Sequence, residues 1–421
     1  MSEPAVPPQP APARSLLRRI LPFAGVPFLS LLAPFLFFPV LARLAGPDAW
    51  VAIALGQSIG GFAGLVAGWG YPTLAPPQVA VADAPGRRRI VATSLHVRLP
   101  VWLVVAAVGA VVSAVLSPPS HATEAALMAV AISLGGLAPT WFWIGVGRAL
   151  PIVLAEVLPR IVATLAATAI LLAGGGVIWY PALLVVAMVA GPAAVYVRIG
   201  GRELVRFAGD RVLTVVRAHP PGVIAESAAG AYNALAVALV AGVAPVAQAV
   251  RYVSGDKAYR IGQYAVSALG NALQGWVAEA SGDRPVLGRR LRTAVLLHLA
   301  LGVAGLGMFT LAGPLVTEVL FGSAVAIDGI TAAGFGVATL GIALGTAFGR
   351  IGLVTLGARN AFMVCVLVAS CIGVAGLVAG AGLAGAPGAA WGLGIAELGS
   401  GLLQGLVLMV RWRRGAVPPG R

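Results

Sequence analysis

Arg251, Asp256, Lys257, Arg260 and Tyr264 fall within the stretch VRYVSGDKAYRIGQY (250–264) of a chain that is only 10% charged, and Lys257 is its single lysine. At about 100° per residue, Asp256, Lys257, Arg260 and Tyr264 share one broad helical face, whereas Arg251 lies about 180° from Arg260 and nearer the start of the segment. That face carries two cations and one anion. Such a surplus suits an anionic ligand, because arginine offers phosphate a planar fork and lysine a mobile point charge. The alternative is that Lys257 and Arg260 stretch to a headgroup region; their place a third to a half of the way along an apolar segment weighs against it.

Few other ionisable residues occupy apolar segments: Glu156, Arg160, Glu226 and Glu397, with Arg43 at the end of the first. A charge at a helix centre in a bilayer costs about 2.5–3.5 kcal/mol, so each is a functional candidate. Glu156 and Arg160 stand four apart, as do Asp256 and Arg260, so each pair can neutralise itself, and a purely structural salt bridge remains the alternative. Glu226 has no cation on its own helix and is the first candidate to bind a coupling proton or sodium ion, with Asp256, Glu156 and Glu397 behind it. Asn233, Gln248, Asn271 and Gln274 make the surrounding hairpin the most polar apolar segment and predict a hydrated cavity beside it.

The elements that must position these groups follow from composition. A chain of 421 residues, 59% apolar with mean hydropathy +0.95, has more apolar surface than a soluble globule can bury. Its apolar runs have the length needed to cross a bilayer as helices and lack the two-residue alternation of a membrane barrel. The expected fold is an all-α polytopic membrane protein of about twelve transmembrane helices in two six-helix lobes around a central cavity. The predicted divisions are a Pro/Ala-rich tail (1–19), an N-terminal lobe (20–197), a linker (198–222), a C-terminal lobe (223–410) and a tail (411–421). Alternate breaks between spans are arginine-rich, the first of them holding Arg87, Arg88, Arg89 and Arg98, so the positive-inside rule places these breaks and both termini in the cytoplasm. The formal charge of +14 is then topological and does not imply nucleic acid. Six spans on each side of the linker give two halves of the same orientation, as in parallel repeats, and TWFWIGVGRALPIV faintly echoes TAFGRIGLV.

Two cysteines on different helix faces and four scattered histidines predict no disulfide, metal or cofactor. Nucleotide-binding, metalloprotease and serine-hydrolase motifs are absent from the sequence, and the outer breaks are too short to present catalytic carboxylates. Transport, not bond-making, is the expected class.

Several segments resemble one family. LARLAGPDAWVAIALGQSIGGF, APTWFWIGVGRALPIVLAEVLPRIVATL, AVRYVSGDKAYRIGQYAVSALGNALQGWVAEASGD, LVTEVLFGSAVA and GAPGAAWGLGIAE are similar, in order and spacing, to the oligosaccharide-lipid flippases of O-antigen and exopolysaccharide pathways (Wzx-like) in the MOP exporter superfamily. The chain departs from that pattern at Trp50-Val51, where an aromatic followed by glycine is usual, and at Trp69 before Gly70. The resemblance implies a bacterial cytoplasmic-membrane protein that moves undecaprenyl-diphosphate-linked glycans between leaflets by alternating access, beside glycan polymerases or glycosyltransferases. On that reading Lys257, Arg260, Arg251, Arg160, Arg43 and Tyr264 would meet the diphosphate or glycan. A lipid II flippase, a multidrug exporter and a non-transporting scaffold of a glycan assembly complex are the alternatives.

Overall fold

The computed structural model describes residues 37–206, 209, 212, 214 and 220–414, with the side chains of 220–229 and 232 excepted. Every regular element among them is helical. In chain order these are α1 (37–44), α2 (Gly46–Ala67), α3 (Tyr71–Val81), α4 (Ala84–Leu116), α5 (Ala122–Ser133), α6 (Thr140–Val146), α7 (Leu150–Leu172), α8 (Trp179–Gly200), α9 (Pro220–Val243), α10 (Val246–Ala278), α11 (Arg284–Phe321), α12 (Gly329–Leu353) and α13 (Arg359–Arg413).

Eight helices among the described residues are long and apolar enough to cross a membrane. The remaining spans are hidden for physical reasons. Ala384 and Gly385 leave helical geometry inside α13, and its two arms fold back so closely that a Cβ on Gly380 would stand 2.2 Å from the Gly388 carbonyl. One long helix is therefore two spans, packed through glycine. Helix α10 crosses despite its charges, α9 is only partly described in side chains, and the first span is described only from Phe37. Twelve spans in two lobes result, the eleventh and twelfth being the two arms of α13. The 1–19 tail lies outside the described residues, as do 415–421 and part of the linker.

The halves echo one another where their third spans begin. Asp83-Ala-Pro and Asp283-Arg-Pro open α4 and α11, and each aspartate caps its helix by accepting from a backbone amide, Gly86 N at 2.8 Å and Val286 N at 3.0 Å. The fourth span of each half is irregular. A 3₁₀ turn (Leu134–Leu137) and Pro139 divide α5 from α6, and α12 ends in a π-helical stretch (Thr346–Leu353). The predicted sequence echo falls on these two irregular ends.

The packing of the lobes is asymmetric along the bundle. One apolar cluster joins them at the arginine-poor end, where Phe37, Phe38, Trp50 and Tyr180 meet Tyr252, Phe309, Phe321 and Phe335. Toward the arginine-rich end the cores separate, one around Trp141 and Tyr196 in the N-terminal lobe and another around Leu287 and Ile351 in the C-terminal lobe. The lobes thus seal at one end and part toward the other.

Candidate functional site

The seal is built by residues of both lobes. The Trp50 indole packs 5.1 Å from the Phe321 ring and its Nε1 donates to Ser254 Oγ at 3.2 Å. Arg43 donates to the Val319 carbonyl, and Arg251 pairs with Asp328 at 3.8 Å. Deeper in, Ser58 Oγ donates to the Ala234 carbonyl at 2.6 Å and accepts from Ala238 N at 3.2 Å, tying α2 to α9. Trp50, the aromatic of the Trp50-Val51 pair, is thus a sealing residue.

Below the seal, between α2 and α5 of one lobe and α9 and α10 of the other, lies a cavity of about 440 Å³. Asp256, Lys257 and Arg260 line it from α10, opposite Gln57 and Ser58 of α2. Asp256 is buried; its Oδ2 accepts from Arg260 Nε at 2.9 Å. Arg260 also donates through Nη2 to the Asn233 carbonyl at 3.0 Å. Among the described residues, no carboxylate pairs directly with Lys257. Its Nζ donates to Gln57 Oε1 at 2.6 Å and stands 5.0 Å from the centre of the Phe38 ring. One of the two cations is thus balanced by Asp256, and Lys257 carries the surplus.

Of the predicted binding residues, the cavity brings together Lys257 and Arg260. Tyr264 does not line it and is exposed. Arg43 and Arg251 sit in the seal. Arg160 stands within the N-terminal lobe near Gly135 and does not line the cavity. Gln57 is a cavity residue that the reading of charges passed over; its position inside LGQSIGG, an amide at mid-span, was the available signal.

Two expectations are corrected. Glu156 and Arg160 lie near enough for each charge to act on the other but make no direct salt-bridge contact, the π turn at Val153–Val157 having shifted the four-residue register. Glu156 Oε2 instead accepts from Thr140 Oγ1 at 2.5 Å, and its Oε1 is buried without a partner among the described residues. Arg98, grouped by sequence with the loop arginines, is wholly buried within α4. It donates to the Gly136, Ala138 and Leu137 carbonyls at 2.8, 3.4 and 3.5 Å and to the Tyr196 hydroxyl. The rings of Tyr71 and Trp141 lie 5.3 and 5.5 Å from its guanidinium. The carbonyls freed by the broken fourth span are therefore capped by a cation.

Glu397 lines a second, smaller cavity of about 190 Å³ with Arg350, Ser370, Ser400 and Gln404, and Asn233 borders both cavities. The Glu226 side chain lies outside the described residues, although its helix is present. No group of three or more metal-ligating side chains occurs among the described residues.

No family model and no curated protein matches the chain. Solved structures do. An inward-facing multidrug resistance MATE family transporter of the MOP superfamily matches with a TM-score of 0.70 at 16% identity, over 95% of this chain and 98% of that one. An outward-facing MATE family structure gives 0.54 at 16% identity, over 97% of each chain. A MOP superfamily transporter from Pyrococcus furiosus, titled for the reverse polarity of its binding pocket, gives 0.55 at 16% identity, over 97% of each chain. The chain has the fold of MOP-superfamily transporters, twelve helices in two lobes.

Proposed function

We propose that this protein is a transporter that carries a polyprenyl-diphosphate-linked oligosaccharide across a membrane by alternating access. The observation that carries the reading is the cavity between the lobes, where Lys257 and Arg260 face one carboxylate among the described residues, Asp256. A charged, sugar-bearing headgroup is excluded from hydrocarbon by its desolvation cost, and a polar cavity with surplus positive charge removes that barrier. The lipid tail stays in the bilayer beside the parted lobes. With the arginine-rich end cytoplasmic, the open end receives cargo from the inner leaflet of a bacterial cytoplasmic membrane. Rocking about the cavity delivers it outward. This suits surface polysaccharide biosynthesis, with glycan polymerases or glycosyltransferases as neighbours.

A multidrug exporter of amphipathic cations would need an anionic cavity, and the Lys257 surplus has the opposite sign. Pocket polarity is an informative discriminator within this fold: for the Pyrococcus furiosus transporter, reverse polarity of the binding pocket suggests a different function. A lipid II flippase would use the same diphosphate chemistry; a scaffold would not need the α10 charges. Replacing Lys257 and Arg260 together by alanine is expected to abolish glycan export in cells at equal protein level. Unchanged export would refute the site. Coupling to protons or sodium is assigned to Glu397, Glu226, Asp256 and Glu156. Transport in vesicles that is indifferent to both gradients would remove it.

A further inference from the structure

We infer that Gln57 is a latch residue: it holds Lys257 across the lobe interface in the empty cavity, and an anionic headgroup releases it by taking Lys257. The inference rests on the diphosphate reading above and extends it to how cargo drives the opening of the seal.

The geometry is specific. Lys257 Nζ makes its one hydrogen bond among the described residues to Gln57 Oε1, at 2.6 Å, from one lobe to the other. The contact stands where the cavity ends and the apolar seal of Phe38, Trp50 and Phe321 begins. On α10, Arg260 lies one turn closer to the open end than Lys257, and Ser254, which binds Trp50, lies about one turn beyond it in the seal. An anion entering from the open end thus meets Arg260 first and Lys257 last. Arg260 is already held by Asp256 and keeps that partner, so it can bind an anion without loosening anything between the lobes. Lys257 differs, because its partner is a neutral amide, a weaker competitor for an ammonium than a diphosphate. When diphosphate takes Lys257, one polar tie between the lobes is lost at the edge of the seal, and the equilibrium moves toward opening at the arginine-poor end. Binding energy is spent on the transition only because the two states differ in this contact.

The test uses the full chain in lipid nanodiscs, with Cys365→Ala and Cys371→Ser, carrying spin labels at positions 48 and 323, one on each lobe at the sealed end. Pulsed electron resonance reads the distance between them. Gln57→Leu is expected to raise the open, long-distance population roughly tenfold without ligand, the scale of one hydrogen bond to a charged group. Gln57→Glu, which converts the tie into an ion pair, is expected to hold the short distance and to demand a higher pyrophosphate concentration for opening. A merely structural role would move both variants the same way, and that result, or no shift in either, overturns the latch. Opposed shifts without any response of the unsubstituted protein to pyrophosphate would keep the latch and overturn the diphosphate reading. A parallel arm with polyprenyl diphosphate in the disc separates a lipid headgroup from a free anion, the lipid being expected to act at concentrations where the free anion is silent.

Discussion

At the residue scale, the buried cations divide by what satisfies them. Arg98 is satisfied by backbone carbonyls and a hydroxyl, with aromatic rings beside it, which is the pattern of a structural charge. Lysine cannot reproduce its fork. Arg98→Lys is therefore expected to leave carbonyls of the broken span unpaired and to destabilise the N-terminal lobe by about 3 kcal/mol, read as a lower thermal midpoint in detergent. Lys257, held by one amide, is the free charge. Its α10 face was legible in sequence because a lone lysine in an apolar chain is conspicuous and helical spacing sorts its neighbours. The burial of Arg98 was not legible: its nearness to Arg87, Arg88 and Arg89 gives it the pattern of a topological arginine, and the carbonyls it serves lie about forty residues downstream at a break that only packing reveals.

Irregular helices matter at the element scale. The π turn of α7 carries Glu156 toward Thr140, and it packs so tightly on α8 that a Cβ at Gly191 would lie 1.7 Å from the Ala155 carbonyl. Gly191→Ala is expected to cost about 1–3 kcal/mol by overpacking. Gly307→Ala in α11, where nothing lies within 4 Å of the added Cβ, should gain up to about 1 kcal/mol from helix propensity. Thermal unfolding of the two variants side by side checks the contrast. The spans themselves were legible from apolar length, and the two-span nature of α13 from its Gly/Pro break. The π register was not, since hydrophobic periodicity assumes an α-helical repeat, and so Glu156 and Arg160 stay charge neighbours without the expected direct contact.

At the scale of the whole molecule, the two lobes meet in an aromatic seal at one end and part toward the other. Arg43 on the first lobe donates to the Val319 carbonyl on the second, so cysteines at 43 and 319, joined by a short thiol cross-linker, are expected to arrest transport, and reductive cleavage of the linker to restore it. Twelve helices in two lobes were legible from the number and length of the apolar runs and the long break midway. Which end is sealed was not, because it depends on aromatic contacts between residues hundreds of positions apart, such as Trp50 with Phe321. The central claim is that the cavity accepts an anionic lipid headgroup through Lys257 and Arg260. The most direct measurement is the movement of a fluorescent polyprenyl-diphosphate-linked oligosaccharide between leaflets of vesicles containing the purified protein. The account predicts movement by the unsubstituted protein, near-complete loss in the Lys257→Ala/Arg260→Ala variant at equal incorporation, and no competition by an amphipathic cation. Equal movement by that variant, or transport of the cation in place of the lipid, would contradict it.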